Sequence, residues 1–264
     1  PAGSHIVITD TLGADANFLL HHFIANQLKA DGGTGKVVLA GLAHIFNHYA
    51  IVGKKLVGAI GEQGVNLQQA KQSHNLAFID ALTHLNRAPS SLPPLSSQPP
   101  IPSVPTAVLA ASANLRSFYN TLYAALDGDR PLVILDDASV LLWSGYDVMD
   151  VVGFVRALRV LLQKRNGTLI TLIHADEQLA SDPAQDAFVP SVLGMADLVL
   201  SIQGLGSGFS KDVHGQLSII HGAQYTLRIP SLTTPPLPIP QSVHYKILDN
   251  TVQFFARGIS EGVL

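Results

Sequence analysis

The chain of 264 residues is 47% hydrophobic and only 13% charged, which is enough apolar material for one well-buried domain and argues against disorder throughout. Sixteen Lys and Arg against nineteen Asp and Glu leave a net charge of −3, so the chain is not expected to hold nucleic acid by its own field. With no cysteine, disulfide scaffolds and thiolate metal sites are excluded. Apolar runs stop far short of the roughly 20 residues that span a bilayer. No basic segment followed by an apolar one opens the sequence, and the expectation is an intracellular protein.

In chain order, residues 5–9 form a β-branched run that predicts a strand. Leu20, Phe23, Ile24 and Leu28 then recur at helical spacing, so the strand feeds a helix through residues 10–17. The turn at residues 31–35 leads into a second apolar strand, 36–42, and a helix over 46–55 follows. A third strand is predicted at 76–79. Residues 89–105 are twelve-seventeenths Pro and Ser and read as an extended surface insert, placed at about 88–106.

A helix at 113–126 is stopped by Asp127-Gly128-Asp129-Arg130-Pro131 before the strand at 132–135. Val148, Val151, Val152, Val155, Leu158 and Leu162 form the next amphipathic stripe. A strand at 168–173, a polar loop at 175–190 and a strand at 197–202 complete the alternation. Nearly continuous apolar strands separated by helices predict an α/β fold, with a parallel sheet covered on both faces. Residues 216–220, 243–248 and 252–256 predict antiparallel strands, after a Pro-rich connector at about 230–240. The whole chain, 1–264, is read as one domain.

A strand, a loop, a helix and a later apolar strand ending in Asp would suit a nucleotide-binding fold. A phosphate loop needs glycines that aim amides at phosphate, a Lys, and a hydroxyl for magnesium. Thr11-Leu12-Gly13-Ala14-Asp15-Ala16-Asn17 stands in the right place but has one glycine and neither Lys nor the following hydroxyl. Gly32-Gly33-Thr34-Gly35-Lys36 leads into a strand, not out of one, and reads as a turn. Asp136 and Asp137 end the strand at 132–135, where the alternatives are a metal ligand or a strand-end acid and cap.

Other constellations are weaker. Asp212-Val213-His214-Gly215 has the look of a metallophosphatase segment without the further ligands. His44 and His48 share a helix face, but Ile45 stands where a zinc protease needs Glu. Gly204 to Gly208 follows a strand without the Gly-x-Ser-x-Gly elbow and reads as a mobile loop, with a functional contact as the alternative.

The run from Gly208 to Leu217, GFSKDVHGQL, followed by Tyr245-Lys246-Ile247 and by Val252 to Gly258, VQFFARG, resembles the sixth-subunit family of Elongator. So do Leu20-His21-His22-Phe23 and the segment from His44 to Leu56. The resemblance implies a RecA-like domain: a mainly parallel sheet flanked by helices, with antiparallel strands at its C-terminal end. It implies a non-catalytic subunit without a cofactor or bound metal, in a heterohexameric ring with the fourth and fifth subunits. That ring would bind tRNA, attach to the Elongator core and support wobble-uridine modification, in the cytoplasm and also the nucleus, with no membrane association.

On that reading Gly13, Asn17, Asp136 and Asp137 mark a degenerate nucleotide site, and His221 stands where related ring ATPases place a basic residue that reaches a neighbour. Recombinase-type ATPases carry a catalytic Glu just beyond the second strand, where this chain has Ala43-His44. The competing expectation is a RecA-like ATPase with an unorthodox phosphate loop, in which Asp136 would coordinate magnesium. A scaffold that never touches RNA is the third.

Overall fold

The computed structural model describes residues 3–56, 65–82, 106–176, 182–206, 208, 210–225, 238–248 and 251–256. The Pro/Ser insert and most of the Pro-rich connector lie outside them. Nine strands form one sheet in the order β3-β2-β4-β5-β1-β6-β7-β8-β9. The parallel part comprises β1 (His5–Asp10), β2 (Val37–Gly41), β3 (Leu76–Asp80), β4 (Leu132–Leu135), β5 (Thr168–His174) and β6 (Leu198–Gln203). β7 (Gly215–His221), β8 (Gln241–Ile247) and β9 (Val252–Ala256) extend it antiparallel.

Both faces of the parallel part are covered, which is why its strands read as continuous apolar runs. Alternate residues turn to opposite faces. Val7, Val133, Leu135, Leu169 and Ile173 pack beneath α4 (Thr106–Ala125), α6 (Val148–Lys164) and α7 (Pro183–Leu193). Ile6, Ile8, Leu39, Ile134, Ile170 and Leu172 pack on the other face with residues of α1 (Asn17–Gly33), α2 (Phe46–Leu56) and α3 (Leu67–Gln72). Burying each such side chain contributes about 1.5–3 kcal/mol, so the two layers fix the register of the parallel strands.

Four helices differ from the sequence-based expectation. The segment expected as a polar loop, 175–190, contains most of α7. Asp182 caps that helix by accepting from the Ala184 amide at 2.9 Å, and Pro183 occupies its first turn, a start signal hidden among acids and prolines. α4 begins at Thr106, seven residues before the expected start at 113. The short helices α3 and α5 (Ser139–Trp143) have too few turns to show a periodicity. Among the described residues, no helix is long and apolar enough to cross a membrane.

Candidate functional site

β1 lies between β5 and β6, so the chain leaves the carboxyl end of β1 in one direction and returns past it in the other. Open α/β sheets place ligands at such a switch point, outside the carboxyl ends of their strands. Here three adjacent strands, β4, β5 and β1, bring Asp137, His174 and Asp10 together. His174 Nδ1 contacts Asp10 Oδ1, and His174 Nε2 lies 2.9 Å from Asp137 Oδ2. These two carboxylates raise the His174 pKa to about 10, against the opposing effect of burial, so the ring is an imidazolium at neutral pH. Burial pushes the facing Asp10 upward, and the His174 charge opposes that shift.

The triad is braced from α5 and α7. The Ser139 hydroxyl accepts from the His174 amide at 3.0 Å, and Gln185 Nε2 donates to the His174 carbonyl at 2.5 Å. Asp137 Oδ1 accepts from the Ser139 amide at 2.9 Å, as a strand-end cap does. The Trp143 indole stacks on the His174 ring with centroids 5.3 Å apart and planes 14° apart, and remains 56% exposed. A charged imidazole under an indole face is a favourable cation–π pair.

The loop from Thr11 to Asn17 is where a phosphate loop would offer its amides. In this chain several of those amides are bound by the chain's own oxygens. Asp176 accepts from the Leu12 amide with both carboxylate oxygens at 3.0 Å, Asp10 Oδ2 accepts from the Ala16 amide at 3.1 Å, and Asp15 accepts from the Asn17 amide at 2.6 Å. The Ala14 amide donates to the Thr11 carbonyl at 2.9 Å. Beside the loop lies a cleft of about 390 Å³ lined by Asp10, Asp176 and Asp186, with Gln185 and Gln203. A phosphate placed there would meet carboxylates, at about 4 kcal/mol per like-charge pair 4 Å apart at an effective dielectric of 20. Among the described residues, the cleft lining offers a phosphate no Lys or Arg.

Asp136 and Asp137, adjacent in sequence, serve different places. Asp136 turns to the loop between β2 and α2, where its oxygens accept from the amides of Leu42 at 2.5 Å, Ala43 at 3.1 Å and His44 at 3.2 Å. The Tyr49 hydroxyl donates to it at 2.5 Å. Burial pushes Asp136 upward, and these donors oppose that shift; burial followed by the Asp136 charge also raises Tyr49. Gly41 starts this loop because a Cβ there would lie 2.5 Å from the His44 carbonyl and 2.6 Å from the Phe78 ring. Asp136 is thus the organiser of a backbone turn and presents no open oxygen to a cation.

The remaining sequence-predicted residues are placed as follows. Gly13 belongs to the loop after β1, and Asn17 is the first residue of α1. His221, at the far end of β7, pairs in register with Leu198 at the start of β6, so it lies at the opposite end of the strands from the triad. Its Nε2 is 2.9 Å from the Pro238 carbonyl and its ring stacks on Tyr225. His44 and His48 stack on one another with centroids 4.1 Å apart. His214 accepts from the Ile247 amide, and Asp212 accepts from Lys246, so this pair ties β8 to the loop before β7. Lys36 Nζ donates to the His74 carbonyl at 3.1 Å, consistent with a structural turn. Among the described residues, no group of three or more His, Asp or Glu is arranged to hold a metal ion. Sequence reasoning did not single out His174, Asp10 or Trp143. The available signal was that two buried, mostly apolar strands, β1 and β5, both end on an ionisable residue.

The family model described as Elongation complex protein 6 matches residues 1–249. The chain belongs to the Elongator complex protein 6 family. Elongator complex protein 6 of Xenopus laevis is 33% identical over 269 residues, covering 99% of this chain and 93% of the relative. The Mus musculus and Homo sapiens proteins of the same name are 34% and 32% identical, each covering 95% of this chain and 89% of the relative. Members of the family are, by name, subunits of Elongator. A KaiC-like protein of Pyrococcus horikoshii matches the fold with a TM-score of 0.53 at 12% identity, covering 97% of this chain and 90% of its own. The fold of this Elongator family member is therefore RecA-like and KaiC-like, with the antiparallel C-terminal strands expected from the sequence.

Proposed function

We propose that this Elongator subunit is a non-catalytic component of the accessory ring, assembled with the fourth and fifth subunits, and that it supports tRNA binding for wobble-uridine modification. The observation that carries the reading is the self-occupied phosphate loop: Asp10, Asp15 and Asp176 sit on amides that a nucleotide would need. The His174 imidazolium between Asp10 and Asp137 supplies internally the positive charge that a bound cation would bring to this crevice. Gly13, Asn17, Asp136 and Asp137 then mark a former nucleotide site, used for structure.

Three exposed apolar side chains stand at the same end of the sheet: Leu12 on the loop after β1, Ile45 on the loop after β2 and Trp143 at the end of α5, which follows β4, at 76%, 58% and 56% exposure. Such a group suits burial against a neighbouring protomer. With a net charge of −3 and an acidic cleft, the chain would leave most RNA-facing positive charge to its partners. His221, at the other end of the strands, would meet a different neighbour. The cytoplasm, with the nucleus as a second compartment, is the location this role requires.

Native mass spectrometry of the chain alone and with the fourth and fifth subunits tests the assembly, with a hexamer of two copies of each expected. Calorimetric titration of the isolated chain with magnesium and ATP tests the crevice, with no saturable heat expected. A lone monomer that ignores both partners overturns the ring reading, and micromolar, magnesium-dependent ATP binding overturns the non-catalytic one.

A further inference from the structure

The outward side of α6 departs from what a solvent-facing helix should carry. Met149, Gly153, Ala157 and Val160 all lie exposed along it, with Met149 at 70% and Val160 at 45% exposure. Their spacing of four, four and three residues places them on one helical stripe. A solvated helix face should be polar, and Gly in mid-helix costs about 1 kcal/mol relative to Ala. At Gly153 the space is open, since a Cβ there would meet nothing within 4 Å. The stripe therefore trades helix stability for a smooth, shallow surface.

That surface is the floor of a groove between α6 and α4. Two clefts, of about 350 and 410 Å³, share Tyr119, Gly153 and Ala157 and so run into one another. From Met149 to Lys164 the groove follows about 23 Å of helix at 1.5 Å per residue, the length of a four-turn helical partner. Small residues on its floor let a second helix approach closely, within the 8–10 Å interaxial distance of packed helices.

The rim carries charge of one dominant sign. Arg116 on α4 and Arg156 and Lys164 on α6 line the groove, against the single acid Asp150 at its amino-terminal end. Among the described residues none of these three cations forms a salt bridge, although the chain as a whole is acidic. Three cations are too few for an RNA groove, which needs a broad basic field and stacking platforms. The chain's own Pro/Ser segment, 89–105, has no acidic residue with which to answer them.

We propose that the groove between α4 and α6 docks an amphipathic helix of another polypeptide of the Elongator assembly, apolar along one seam and flanked by Asp or Glu. The apolar seam covers Gly153, Ala157 and Val160, and the flanking acids meet Arg116, Arg156 and Lys164. This surface is separate from the crevice at the strand ends, and the proposal stands whether or not that crevice admits a nucleotide.

The test is photo-crosslinking within purified Elongator, with p-benzoylphenylalanine in place of Ala157 in the full chain. The expected adduct lies on a helical segment of a partner chain with Asp or Glu within a turn of the attached residue. Charge reversal by Arg156→Glu with Lys164→Glu should weaken association with that partner at least about tenfold, and Asp or Glu to Lys changes in the adducted segment should restore it. Gly153→Leu raises helix preference while filling the groove, so association lost in this variant at an unchanged melting temperature is assigned to the groove. An adduct with RNA, with residues 89–105 or with a segment lacking acids overturns the proposal. So does no adduct at all, or unchanged association in the charge-reversed and Gly153→Leu variants.

Discussion

The Nε2 atom of His174 lies 2.9 Å from Asp137 Oδ2 while the other ring nitrogen meets Asp10, so one imidazolium links the ends of three neighbouring strands. β5, which carries His174, runs between β4 and β1, and without that charge the two buried carboxylates would face each other across it. RecA-like and KaiC-like architecture converges loops at this edge. In this chain the convergence is held by its own side chains.

Replacing His174 alone should therefore be costly. His174→Ala is expected to lower stability by about 3–5 kcal/mol, the range for a buried ion pair that loses one partner. The triple change Asp10→Asn, Asp137→Asn and His174→Gln should lose less than the single change, because no unpaired charge is left behind. Urea unfolding of the two variants against the parent measures this. A triple variant as unstable as the single one would mean that packing of the ring, and not charge, holds the strand ends.

The same residue sets an alkaline limit. His174 titrates near 10 in the folded chain and near 6.5 when unfolded, so its folded pKa is raised. Its contribution is fully present below pH 6.5 and is lost as pH rises through 10. Melting temperature should fall across that window, and the fall should flatten in His174→Gln. An equally steep decline in both proteins would assign the alkaline limit to other groups.

The acid limit has a different origin. Burial lowers both His5 and His21 to about 4, with the neighbouring His48 adding to the effect at His21. These bases are held neutral, so the unfolded chain takes up protons first, and stability present above pH 6.5 is lost as pH falls toward 4. Among the described residues neither ring nitrogen of His21 finds a hydrogen-bond partner, although the side chain is only 2% exposed beside Tyr49. His21→Phe should be neutral or stabilising by up to about 1–2 kcal/mol at pH 7, since it removes a desolvation penalty, and should reduce the loss at pH 5. A variant less stable than the parent at both pH values would show that the imidazole has a partner worth keeping.

Much of this architecture could be read from the chain, and the exceptions have physical causes. Strands β4 and β9 match their expected bounds: Pro131, which lacks a ladder donor, precedes β4 and Asp136 follows it, while the turn-favouring pair Asp249-Asn250 precedes β9 in the sequence. α7 escaped because Pro190 lies inside it and two acids, Asp182 and Asp186, stand at its start, so its composition resembles a loop while Asp182 and Pro183 spell a cap. The site was legible only in part. Asp136 and Asp137 were visible as a strand-end pair, yet their division between the Tyr49 turn and the His174 triad depends on which side of β4 each faces. The pairing of Asp10 with His174 joins residues 164 positions apart, and no local pattern encodes it.

Asp136 gives the sharpest separation between a structural acid and a magnesium ligand. Its two oxygens accept from the Leu42, Ala43 and His44 amides and from the Tyr49 hydroxyl, all within 3.3 Å. Asp136→Asn turns a donor toward a site made only of donors, so at least one buried amide loses its partner and meets a repelling N–H. The expected loss is about 3 kcal/mol or more, against about 1–2 kcal/mol for Tyr49→Phe, which removes one donor and leaves the carboxylate its three amides. Both losses should appear in magnesium-free buffer and stay unchanged when magnesium and ATP are added, because the turn at residues 42–44 is what the carboxylate holds. A parent protein stabilised by magnesium and ATP, with that increment absent in Asp136→Asn, would instead make Asp136 part of a nucleotide site.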